Sequence, residues 1–165
     1  VTVHILGPTS GGVSGGGLLD SDGIQGATFA DETTERVFHT ITIPANTVGI
    51  GDMVNLGGYI EMLSPGAGGG VRTRIRRDDR VGPIVADTNF RTPLGLPAQI
   101  GFEFFHGLIV DTGAGLSAAR MINSNDGVDF VFDFTANIVL VLTAEWSVAA
   151  LGNEYRGLVF HASKS

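Results

Sequence analysis

The sequence predicts an all-β protein: an eight-stranded antiparallel jelly-roll β-sandwich preceded by an extended Gly-rich N-terminal arm. Three observations carry this reading. Apolar and polar residues alternate with a period of two through most of the chain beyond Arg36, as in strands with one face buried. Clusters of Gly, Pro, Asn and Asp break the alternation at roughly the 8–12-residue spacing of a sandwich or barrel. No stretch longer than a turn or two repeats its apolar residues at a helical period, and LSAARMI (116–122) is the one segment with any helical character. A jelly roll is the commonest way to close eight such strands into two sheets.

The elements follow in order. RVFHTITIP (36–44) sets Val37, His39, Ile41 and Ile43 against Phe38, Thr40 and Thr42, with β-branched residues throughout. The turn PANTVGIGD leads into DMVNLGGYIEML, and the glycine cluster SPGAGGG connects this to VRTRIRRD. A loop, DDRVGP, precedes the short strand PIVAD, and RTPLGLP, with two prolines in seven residues, is a loop or an edge. QIGFEFFHGLIV places Ile100, Phe102, Phe104, His106, Leu108 and Val110 on one face. After the turn NDG, VDFVFDF sets Phe130, Phe132 and Phe134 against Asp129, Val131 and Asp133. NIVLVLTAEWSV puts Ile138, Leu140, Leu142 and Trp146 on one side, and LVFHA closes the chain.

Composition shifts once, near Asp31. Residues 1–34 form the expected arm and residues 35–165 the sandwich. Eight of the first 26 residues are glycine, a density that neither helix nor strand tolerates well. Yet VTVHIL at the start and LLDSDGIQGATFA at the end are apolar, unlike a pure Gly/Ser linker. Val3, Ile5, Leu18 and Leu19 are the candidate holding residues of an arm that orders against a partner.

The chain of 165 residues is 43% hydrophobic and only 16% charged. Soluble domains average about 25% charged residues, so part of the surface is expected to be covered by partners. A net charge of −7 argues against nucleic-acid binding. There is no cysteine, which removes disulfides and thiolate chemistry. No apolar run has the length of a membrane helix, and the first residues lack the basic-then-apolar pattern of a secretory leader.

Residues able to do chemistry are present but not arranged for it. His4, His39, His106 and His161 show no metal-ligand spacing. No G-x-S-x-G turn is present, and Glu103, Glu145, Asp129 and Asp133 read as solvent-face strand residues rather than a glycosidase pair. DSDG (20–23) and NSNDGVD (123–129) begin like calcium loops without the ligands that complete one. SPGAGGG lacks the Lys-Ser/Thr of a phosphate loop. No enzyme, no cofactor and no metal are expected.

One charge feature has a shape. Five of the ten Lys and Arg residues lie between 72 and 80, and alternation puts Arg72, Arg74 and Arg76 on one strand face. Planar guanidinium groups suit carboxylate-rich partners. The partner is either another subunit's acidic strand, with Asp129, Asp133 and Glu145 as candidates, or a capsid surface or an anionic glycan. The plainer alternative is an edge strand protected by charge.

VFHTITIPANTVGIGDMV (37–54), VRTRIRR (71–77) and IVLVLTAEWSVAALGNEYRGLVFHA (138–162) together resemble the jelly-roll, TNF-like trimeric domains of tailed-phage head-fibre, decoration and tail-fibre proteins. The resemblance covers the sandwich and not the first 35 residues. It implies a homotrimer without catalysis, assembled in a host cytoplasm and located on the virion. Its partners would be the major capsid protein or another virion protein, with no nucleic acid and no membrane. The second reading it allows is a receptor-binding module of a tail fibre or spike, with Trp146 and Tyr155 as the candidate contacts for a host surface glycan.

Overall fold

The computed structural model describes residues 16–23, 28–30, 33–62, 70–87, 98–123, 129–147 and 154–165. Among these, eleven strands form two antiparallel sheets, so the all-β, two-sheet expectation holds. The larger sheet has the order β1 (Gly17–Asp22), β11 (Glu154–Lys164), β4 (Met53–Met62), β7 (Ala98–Val110), β8 (Ala119–Asn123), β9 (Asp129–Phe132). The two-residue β2 (Phe29–Ala30) also pairs with β11. The smaller sheet is β3 (Arg36–Ile43), β10 (Ile138–Trp146), β5 (Val71–Arg77), β6 (Ile84–Asp87).

The core lies between the sheets and is built from the alternating apolar positions. Ile41, Ile75, Leu140 and Leu142 of the smaller sheet face Leu56, Ile60, Tyr155 and Phe160 of the larger one, all buried. Phe38, Tyr155 and Trp146 form a run of edge-to-face rings, with centroids 5.2 Å apart in the first pair and 5.7 Å in the second. This geometry sets the positive ring edge against the negative face. Phe132 and Phe134 are buried as the alternation predicts, while Val131 is exposed.

Where the alternation fails, bulges are the reason. In β3 the register slips between Val37 and His39, and both Phe38 and His39 turn inward. In β7, Phe104 is unpaired, and beyond it the parity of the strand reverses. Leu108, expected on the same face as Ile100, is exposed, and Ile109 is fully buried. LSAARMI contains no α-helix: Gly115–Ala118 makes one 3-10 turn and β8 begins at Ala119.

The chain expected as an arm is partly in the sandwich. Gly17–Asp22 pairs with Phe160–Lys164 of β11, and Leu19 packs against the core while Leu18 is exposed. Val3 and Ile5 lie outside the described residues.

Candidate functional site

Two arrangements of polar side chains stand out, and the first is the arginine face. Alternation along β5 buries Val71, Thr73 and Ile75 and sends Arg72, Arg74 and Arg76 to the outer face of the smaller sheet, as the sequence predicts. There the guanidinium groups meet carboxylates of their own chain. Arg72 Nε donates to Asp87 Oδ1 at 2.8 Å. Arg74 reaches Glu35 at 2.8 Å, Glu145 at 2.9 Å and Asp87 at 3.2 Å. Arg76 holds Glu35 with two parallel bonds, 2.7 Å from Nε and 2.8 Å from Nη2, the bidentate fork that favours Arg over Lys. It also donates to the carbonyl of Gly82 at 2.9 Å.

Glu35 is the hinge pin of this cluster. It sits directly before β3, is nearly buried, and also accepts the hydroxyl of Thr143, a fully buried polar residue of β10. Burial by itself pushes the Glu35 carboxyl up. Hydrogen bonds from Arg76 and Thr143, with the charges of Arg76 and Arg74, outweigh that and hold it below the ordinary carboxylate value. Three guanidinium groups balance three carboxylates, so the face is neutral. Glu145, expected as a contact on another subunit, is a partner within the same chain. Asp133 is exposed and accepts the Thr135 amide at 2.9 Å in its own turn. The side chain of Asp129 lies outside the described residues.

The second arrangement closes one edge of the sandwich. β1 is paired through its backbone to β11, in the larger sheet. Its carboxylates serve the smaller sheet: Asp20 Oδ2 accepts the amide of Thr42 at 2.6 Å, and Asp22 Oδ2 accepts that of Thr40 at 3.3 Å. The two-residue spacing of the carboxylates matches the two-residue spacing of outward amides along β3. Side-chain oxygens thus do for the edge of β3 what a neighbouring strand's carbonyls would do. This is what the DSDG segment is used for, and among the described residues no group of three or more His, Asp or Glu is placed to hold a metal.

His39 lies behind this edge with its side chain fully buried. Nδ1 stands 3.2 Å from Asp22 Oδ2, and neither nitrogen makes a hydrogen bond among the described residues. The ring lies against the backbone of β11 at Gly157, where a β-carbon would come within 2.5 Å of Nε2. The sequence shows His39 as one strand histidine among several; only the bulge at Phe38 and the glycine opposite seal it in.

Trp146 and Tyr155, the glycan candidates, are 2% and 0% exposed. With both rings in the core, neither offers a face on which a sugar can stack. No helix is long and apolar enough to cross a membrane among the described residues.

The fold and these sites define an all-β protein of two packed antiparallel sheets, with a neutral ion-paired face on one and a carboxylate-sealed edge between them. No protein-family model matches the chain, and no curated protein matches it either.

Proposed function

We propose that this protein is a structural component of a bacteriophage virion, a capsid decoration, cement or head-fibre protein that acts as a homotrimer of jelly-roll domains anchored through residues 1–34. The strand pairing supports the jelly roll. Setting aside β2 and the β8–β9 hairpin leaves eight strands, in which the first pairs with the last (β1–β11), the second with the seventh (β3–β10), the third with the sixth (β4–β7) and the fourth with the fifth (β5–β6). A long hairpin rolled into two sheets pairs its strands in this way.

The observation that carries the assembly reading is the difference between the two outer faces. The smaller sheet's face is occupied by its own ion pairs. The larger sheet turns Met53, Tyr59, Leu108 and Val131 outward at 39%, 49%, 41% and 53% exposure, beside the exposed Leu18 of its edge strand. Large apolar groups turned outward on one sheet are what a subunit contact buries. A copy-to-copy contact through this face leaves the arginine face and the loops outside, and the threefold arrangement also accounts for the low charge of the chain.

The experiment has two parts. Light scattering on the full chain gives the mass in solution, for which three copies are expected and a monomer excludes the trimer. Sedimentation with purified capsids then compares the full chain with a chain lacking residues 1–16, which precede β1. Capsid binding that survives this truncation at normal occupancy excludes residues 1–16 as the anchor.

A further inference from the structure

We propose that β1 is a releasable strap: it opens from the edge of the sandwich as a unit, without unfolding of the rest, and its departure uncovers His39 and the outer edge of β3. Four observations place the division here. No residue of β1 is fully buried, and Leu19 is its one side chain packed against the core. Its ladder to β11 is interrupted by a register shift between Leu18 and Asp20. Its hold on the smaller sheet includes the bonds that the Thr42 and Thr40 amides donate to Asp20 and Asp22, and the 3.2 Å approach of Asp22 to His39. Those amides lie at a sheet edge, so water replaces the carboxylates once the strap lifts, and opening strands no buried donor.

The strap differs in this from its neighbours. β3 itself is tied to β10 through seven paired positions and contributes Ile41 and Ile43 to the core. Local opening follows the lines of least apolar burial and most solvent-exposed hydrogen bonding, and β1 meets both conditions while β3 meets neither. The buried imidazole is the reporter: His39 makes no hydrogen bond among the described residues and lies between Asp22 on one side and Gly157 on the other.

Amide hydrogen exchange on the full chain, read by NMR, tests this directly. The Thr40 and Thr42 amides are expected to exchange with those of β1, at least about tenfold faster than the Ile41 amide, which points to β10. A second reading uses diethyl pyrocarbonate, with modification of His39 mapped by mass spectrometry. Asp20→Ala with Asp22→Ala is expected to raise the His39 rate about tenfold or more while the Ile41 amide keeps its protection. Exchange of Thr40, Thr42 and Ile41 at one common rate overturns the proposal, as does a His39 that reacts in the wild type only when the whole chain unfolds. Should the double variant fail to fold, the wild-type exchange rates decide alone.

Discussion

Asp20 Oδ2 accepts the backbone amide of Thr42 at 2.6 Å, a side chain of one sheet standing in for a strand beside the other. The pairing explains how a sandwich with an open edge at β3 avoids presenting free amides for another chain to pair with. It also ties the glycine-rich start of the chain to the body of the fold.

Replacement of Asp20 by Ala removes a charged acceptor and is expected to cost about 1.5 kcal/mol in chemical denaturation. Asp20→Asn keeps an oxygen in place and is expected to cost less than Asp20→Ala. Equal losses for the two variants would mean that the bond to Thr42 contributes little.

Glu35 sets an acid limit on the smaller sheet. Its carboxyl is held below the ordinary value in the folded protein, so it favours folding above the unfolded-state value, and that contribution disappears as pH falls through the folded one. Glu35→Gln is expected to lose about 3 kcal/mol near neutrality, because it leaves Arg74 and Arg76 facing a neutral group in a nearly closed site. Below the ordinary Glu value of about 4.3 the difference between wild type and variant is expected to shrink. Urea midpoints measured from pH 3 to pH 7 check it; a gap constant with pH contradicts the assignment.

Gly157 is required by the ring behind it. A methyl group there would lie 2.5 Å from His39 Nε2 and 2.7 Å from the Phe38 β-carbon. Gly157→Ala is therefore expected to destabilise by about 1–3 kcal/mol through overpacking. In a His39→Ala background the same change is expected to cost less, with a coupling of about 1 kcal/mol in a double-mutant cycle. Additive costs would show that the two residues do not share the space.

The outer face of the larger sheet is tested by charge. If the proposed trimer packs through this face, Tyr59→Glu together with Leu108→Glu is expected to give a folded monomer, each substitution weakening association by about 2 kcal/mol. Light scattering gives the mass and circular dichroism the retained β signal. An unchanged mass moves the subunit contact to another face.

Much of the architecture was legible because strand periodicity is a local property. The burial of Ile41, Ile75, Leu140 and Phe132, and the arginines of β5 on one face, all follow from alternation alone. Two bulges defeated it. At Phe38 an extra residue puts Val37 on the face opposite to His39, Ile41 and Ile43, at Phe104 another leaves Leu108 exposed and Ile109 buried, and nothing in either local sequence marks the bulge. LSAARMI carries residues that favour a helix, and sheet pairing rather than propensity made a strand of its second half. Glu35 carried no signal either: it stands in the acidic run DETTE, and only the fold brings it onto the side chains of residues about forty positions away.

The sequence by itself determined the class of structure, the strand faces away from the bulges, and the grouping of the arginines, because these depend on neighbours along the chain. The tertiary structure decided what those groups meet. It paired the arginines with Glu35, Asp87 and Glu145, buried Trp146 and Tyr155, and spent the carboxylates of DSDG on the amides of another strand. Each of these is a contact between residues distant in sequence, and the register of two sheets had to exist before any of them had a partner.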